Sequence, residues 1–169
     1  MLVFTATSPP PQSAKELDKL LGKSPEGEAD AGLPTLAEFK AQWPCFRGMS
    51  GGVSPGEARF TLDANTLTNV LWKSPIPAVG FNSPVVWSNR VFLSGGDIAK
   101  RQVFCFDAAA GRLLWQRAVE NISGSPAKLP EINDATGYAA STMATDGRRA
   151  FVIFANGDLA AFNFDGSPA

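Results

Sequence analysis

The sequence has no histidine, one tyrosine and two cysteines, and these absences narrow its chemistry before any motif is considered. Without an imidazole it lacks the usual general base, the commonest transition-metal ligand and the proximal haem ligand. Ser-His and Cys-His catalysis within the chain are therefore excluded. Cys45 and Cys105 stand sixty positions apart, so there is no CxxC zinc or redox pair and no CxxCH haem-attachment site. A disulfide between them stays open, but Cys105 lies inside the apolar run Val103-Phe104-Cys105-Phe106 and reads as a small buried thiol. Charge is scarce, at 18% of residues, and nearly balanced, with 15 Lys plus Arg against 16 Asp plus Glu. No basic field draws such a chain onto nucleic acid or anionic lipid, so nucleic acid is excluded as a partner. Long hydrophobic runs are missing too: Met1–Ala6 is apolar but too short for a membrane span or a signal core. It reads as the tail of a longer hydrophobic segment, followed by Ser8-Pro9-Pro10-Pro11 as the start of an extracytoplasmic linker. Membrane attachment enters only through such an anchor ahead of Met1.

What is present points to short strands and tight turns. Hydrophobic residues make up 44% of 169 positions, enough for one domain with a real core, and 16 Gly and 13 Pro are spread beside 12 Phe and 4 Trp. The expected fold class is all-β. Residues 1–42 differ in texture, being rich in Pro, Lys, Glu and Ala without β-branched runs, and read as a leader or linker with short helices and flexible connections. Ser13-Ala14-Lys15-Glu16 has capping-box spacing, and Leu17, Leu20 and Leu21 follow before Gly22, which predicts a helix over 14–21. Thr35-Leu36-Ala37-Glu38 repeats the signal after Pro34 and predicts a second over 36–42. Lys23–Gly32 between them reads as a flexible connection.

From Val70 onward, apolar runs alternate with turn signals. Asn82–Trp87 and Val91–Ser94, separated by Ser88-Asn89-Arg90, predict a hairpin. Val103–Phe106, the turn Asp107–Gly111 and Leu113–Val119 complete a set of four antiparallel strands. A second set follows: Ala140–Ala144, the turn Asp146-Gly147, Ala150–Ala155, the hairpin signal Asn156-Gly157, and Leu159–Phe164 ending at Asp165-Gly166. The sequence stops where a fourth strand is expected to start. Val70-Leu71-Trp72-Lys73-Ser74-Pro75-Ile76 parallels Leu113-Leu114-Trp115-Gln116-Arg117-Ala118-Val119, the tryptophans lying 43 residues apart, and 40 to 50 residues is the period of a propeller blade. Ser83–Val86 through Leu93 parallels Ser141–Ala144 through Val152, and Phe104–Asp107 parallels Ala161–Phe164, at an offset near 58. The longer offset reflects an insertion, Glu120–Gly137, placed where rim loops carry binding functions.

At these residues the sequence resembles the pyrroloquinoline-quinone (PQQ)-like repeat family of β-propellers, whose blades share a tryptophan-docking motif close to A-x-D-x-x-T-G-x-x-x-W. Cys105–Trp115 keeps Asp107, Gly111 and Trp115 at that spacing, with Cys105 and Ala110 replacing the motif's alanine and threonine. Trp72 is the equivalent docking residue of the preceding strand. Asn163-Phe164-Asp165-Gly166 is a partial second copy. Trp43–Gly48, Val70–Lys73 and Asn82–Trp87 further resemble the opening of the bacterial BamB-like extracytoplasmic group. The resemblance covers about residues 43–166. It implies a leader over 1–42 and the N-terminal part of a propeller over 43–169, with a first blade over about 82–119 and an incomplete second blade over about 138–169. It therefore implies a truncated ring with an open sheet edge on either side.

Two functions follow from that resemblance. One is a non-catalytic extracytoplasmic module, in the periplasm or cell envelope, binding protein partners or a surface ligand through rim loops. The other is a fragment of a PQQ- and Ca²⁺-dependent alcohol or sugar dehydrogenase. The sequence has no adjacent Cys pair and no oxygen-rich calcium loop, so no cofactor is evident and no catalytic residue is named. Glu131, Asn133 and Asp134 read as a solvated loop. Gly95-Gly96-Asp97 and Ser50-Gly51-Gly52 read as turns and not phosphate cradles. Arg47, beside Trp43 and Phe46, reads as an anchor of the leader, and Tyr138 as a packing residue.

Overall fold

Each strand starts where an alternating or continuous apolar run begins and stops at a residue suited to a turn. The computed structural model describes residues 32–54 and 70–169. The chain divides into Met1–Leu33 and Pro34–Ala169, and the description concerns the second unit. It is mostly β, with one short helix and two antiparallel sheets that form no closed barrel among the described residues. Helix α1 spans Leu36–Ala41, where Thr35 accepts from the Glu38 amide and Glu38 returns a bond to the Thr35 amide, the reciprocal cap that the sequence predicts. The helix expected over 14–21 lies outside the described residues, as does nearly all of the 23–32 connection.

The first sheet has the order β1 (Val85–Trp87), β2 (Arg90–Gly96), β3 (Arg101–Asp107) and β4 (Leu113–Ala118). The second has β5 (Ala144–Thr145), β6 (Arg149–Ile153) and β7 (Leu159–Asn163). Trp87 pairs with Arg90 across a two-residue turn in which Ser88 has φ +50°. The opening strand of each sheet is shorter than expected, β1 beginning at Val85 rather than Asn82 and β5 at Ala144 rather than Ala140. Asn82 leaves the ladder because its amide donates to Ser94 O at 2.7 Å and Ala139 O at 2.8 Å, tying the two sheets together. Gly95 and Gly96 are not a turn but the end of β2, opposite Gln102 and Arg101; the turn begins at Asp97, whose carboxylate accepts from the Ala99 and Lys100 amides. The Asn156-Gly157 signal sits inside a wider turn closed by Phe154 and Asp158, so β6 ends at Ile153 rather than Ala155.

Strand pairing also corrects the repeat alignment by one residue. Arg90 faces Asp107 in the first sheet and Arg149 faces Asn163 in the second, so Phe104–Asp107 corresponds to Ala160–Asn163 and not to Ala161–Phe164. The slip matters because adjacent residues of a strand face opposite sides. After β7 the chain turns back at Gly166, Pro168 bridges Phe162, and the Ala169 amide donates to Ala161 O at 3.0 Å.

The main core lies between the sheets. Val85, Phe92, Val103, Cys105 and Trp115 of the first meet Met143, Ala150, Val152, Phe154 and Phe162 of the second. Val91, Phe104 and Phe106 form a separate cluster on the other face of the first sheet. Two covered faces explain why four consecutive residues of β3, Val103–Phe106, are all buried, while β6 alternates. Cys45 and Cys105 are free, not a disulfide, and burial pushes the Cys105 thiol up to about 12. Trp43 extends the first sheet inward, exchanging backbone bonds with Val86 at 3.0 and 2.9 Å, while the Thr145 amide donates to Pro44 O at 2.9 Å. Phe39 of α1 meets Trp87 edge-on at 5.0 Å.

Phe92 is fully buried and touches both Trp115 (6.1 Å) and Phe164 (5.0 Å). Phe92→Ala is expected to cost about 3–5 kcal/mol, measured as a shift in urea unfolding; a loss below about 1 kcal/mol would mean that the sheets do not pack here.

Candidate functional site

Of the four residues singled out from the repeat, Trp72 and Gly111 meet, Trp115 docks on Gly166 of the second sheet, and Asp107 bonds within its own turn. Gly111 closes the β3–β4 turn with φ +67°, a conformation open to glycine at little cost. A Cβ there would collide with the Trp72 ring, which lies flat against it. The Trp72 Nε1 donates to Ala108 O at 2.9 Å. Trp115 repeats this on the second sheet: Gly166 has φ +86°, its Cβ would fall 2.9 Å from the indole, and Nε1 donates to Phe164 O at 2.9 Å. Arg117 adds a bond to Gly166 O at 2.7 Å. Each tryptophan thus docks on the turn of the sheet that follows it.

Asp107 organises the first turn. Its Oδ1 accepts from the Ala110 and Ala109 amides at 2.8 and 3.0 Å, and Asn89 Nδ2 donates to Oδ2 at 2.8 Å. The Ala110 amide above all holds the carboxyl below its usual range; desolvation opposes it, and Asn89, Ala109 and the charge of Arg112 add to the lowering. Asn163 stands at the matching place in the second turn, which is one residue shorter.

The opposite end of the sheets is different in character. The β2–β3 turn, the β6–β7 turn and the Glu120–Gly137 insertion all lie there, because antiparallel strands put alternate connections at the same end. Tyr138 is buried and donates its hydroxyl to Pro130 O at 3.2 Å, pinning the insertion. Leu129, Pro130, Ile132, Ile98 and Tyr138 line an open cleft of ≈ 720 Å³, with Lys128 and Glu131 beside them. Asn133 is a turn residue, its side chain accepting from the Ala135 amide at 2.8 Å. Among the described residues, no three Cys, Asp or Glu side chains gather as a cation site. Arg47 stacks over Phe46 at 5.6 Å.

At this same end, Arg101 at the start of β3 faces Asp158 before β7, Nε to Oδ2 3.2 Å, with Asp158 only 2% exposed. Ser125 and Asn156 also face the carboxylate, but short of hydrogen-bond geometry. Burial raises the Asp158 carboxyl, and Ser125, Asn156 and Arg101 together outweigh it and leave the group below its ordinary value. Nothing in the sequence announced this pair: the two residues are 57 positions apart and neither belongs to the repeat motif.

No protein-family model matches the chain, and no curated protein matches it at a significant level.

Two outcomes are expected. Gly111→Ala should cost about 2–4 kcal/mol, from left-handed strain plus collision with Trp72, read by urea unfolding and tryptophan emission. Because Asp158 is depressed in the folded state, its stabilisation is complete above the unfolded value near 4 and is lost as pH falls through the lower folded value. Asp158→Asn should therefore cost about 3 kcal/mol at neutral pH, leaving Arg101 without its buried partner, and should flatten the acid limb of the stability curve; an unchanged acid limb would remove Asp158 from the account.

Proposed function

We propose that the two sheets are consecutive blades of a PQQ-like β-propeller and that the chain is a non-catalytic binding and scaffold module, working in the cell envelope and engaging a protein partner through the rim that carries the insertion. The observation that carries the repeat reading is the double docking, Trp72 on Gly111 and Trp115 on Gly166, with the same indole bond at 2.9 Å each time. Repetition of sheet, turn and docking contact is the architecture of a propeller.

Three features support binding over catalysis at the rim. The insertion is the longest stretch by which the second sheet's repeat exceeds the first's, and such departures are where repeat scaffolds vary their ligands. Its cleft is lined chiefly by apolar side chains, with Ile98 69% exposed at the edge, which suits a protein surface. The shifted titratable groups nearby, Asp97 and Asp158, are occupied by turn amides and by Arg101 and are not aimed at the cleft as a base. No described helix is long and apolar enough to cross a membrane.

The test uses a photo-crosslinking residue at Leu129 and, separately, at Arg112 on the docking end, in cell-envelope extract. A discrete adduct at 129 that disappears with Ile98→Glu, and none at 112, is expected. Titration with PQQ and Ca²⁺ is expected to give no saturable absorbance change; binding with alcohol-dependent dye reduction would overturn the scaffold reading in favour of a dehydrogenase fragment.

A further inference from the structure

Residues 34–48 form no strand of either sheet, yet they touch both. Trp43 exchanges backbone bonds with Val86 on the edge of β1 that β2 leaves free. The next residue reaches the other sheet, Pro44 O accepting from the Thr145 amide of β5 at 2.9 Å. Gln42 Oε1 accepts from the Ser88 amide, in the β1–β2 turn, at 2.7 Å. Side chains support these bonds: Phe39 meets Trp87 edge-on, and Pro34 and Trp87 close together over Gly147, where a Cβ would find no room. One short segment thus covers a free edge of each sheet, beside the β1–β2 and β5–β6 turns and away from the insertion.

The segment is tied well to itself. Thr35 and Glu38 cap α1 reciprocally, the Gln42 amide donates to Phe39 O at 3.1 Å, and the Gly48 amide donates to Cys45 O at 3.0 Å. The Trp43 indole folds back onto Gly48, 2.9 Å from where a Cβ would stand. Its hold on the rest of the molecule is slight by comparison. α1 has no buried residue, and Leu36 is 62% exposed. None of residues 34–48 enters either buried apolar cluster. A segment bonded to itself and lying outside the cores is of the kind that opens alone, below the free energy of global unfolding.

We infer that residues 34–48 are a strap that seats on, and lifts from, the free edges of β1 and β5 as one unit, so that both edges are covered or uncovered together. Seated, it satisfies the Val86 amide and carbonyl and the Thr145 amide, and it shields two edges that would otherwise template pairing with another chain. The three residues that make the bonds are consecutive, Gln42, Trp43 and Pro44. The Pro44 ring fixes the backbone between the two sheets, and Trp43 is held to Gly48, so one bond is not given up while the next is kept. Release therefore turns the Val86, Ser88 and Thr145 amides to solvent in one step. The strap lies at the end of the sheets opposite the insertion, and the inference depends neither on a partner there nor on the blade reading.

Amide hydrogen exchange of the 169-residue chain reads this directly, because the Val86, Ser88 and Thr145 amides come from two sheets and a turn and all donate to the strap. The three are expected to share one protection factor, and to lose it at lower urea than the β3 amides. Phe39→Ala removes the contact of a half-buried ring with Trp87. It should speed all three by the same factor, roughly two- to tenfold, and leave β3 unchanged. Exchange of the three only in step with β3, at global unfolding, makes the strap a fixed part of the fold and overturns the inference. Three unrelated rates, or a Phe39→Ala effect confined to Ser88, mean piecemeal fraying and overturn it equally.

Discussion

Everything in this structure is referred to one contact, an indole lying flat on a glycine held in the left-handed region. The arrangement couples three requirements that are hard to meet separately. The turn must adopt positive φ, the space above it must be free of a Cβ, and a backbone carbonyl must point at the indole N–H. Gly111 and Gly166 meet all three for Trp72 and Trp115. A docked tryptophan removes a large apolar area from water, at roughly 25 cal/mol per Å², and the hydrogen bond adds about 1 kcal/mol. The greater consequence is geometric: the contact fixes how far apart and in what register neighbouring sheets sit, so that Phe92 reaches Phe164 and Val103 is sealed from solvent.

That division of labour explains the asymmetry between the two ends of the sheets. At the docking end the turns are short and their residues are used up: Asp107 is saturated by amides, and Asp165 likewise accepts from the hydroxyl and amide of Ser167. At the other end the connections are free to lengthen, and the second unit does so by the Glu120–Gly137 insertion. The Arg101–Asp158 pair adds to the Asn82 bonds a second tie at this end, joining the start of β3 to the turn before β7. A buried pair of this kind adds little net stability relative to apolar packing but is costly to break, which suits a fixed joint beneath a variable loop.

Much of this was legible in the residues. The α1 cap, the β1–β2 hairpin and the Asp107–Gly111 turn follow from local chemistry that tertiary context leaves alone, and all appear where expected. Trp72 and Trp115 were legible as a repeated pair, although sequence alone could not say that each docks forward onto the next sheet. What failed to show depends on partners distant in sequence. Asn82 and Ser83 look like strand, but their polar groups are taken by Ala139 and Thr142. The one-residue error in aligning Phe104–Asp107 set Cys105 against Phe162 and Phe106 against Asn163, and only the pairing of Arg149 with Asn163 brings Phe106 into line with Phe162. The Arg101–Asp158 joint leaves no local signature at all.

The central claim, that both sheets are locked by the same indole contact, is tested most directly by hydrogen exchange of the tryptophan indole protons in a ¹⁵N-labelled chain. Slow exchange of the Trp72 and Trp115 indole N–H groups alike, in step with the β3 and β7 amides, is expected if docking and sheet packing are one cooperative unit. Rapid exchange at either indole while the sheet amides remain protected would show that the sheets hold together without it, and would contradict the account.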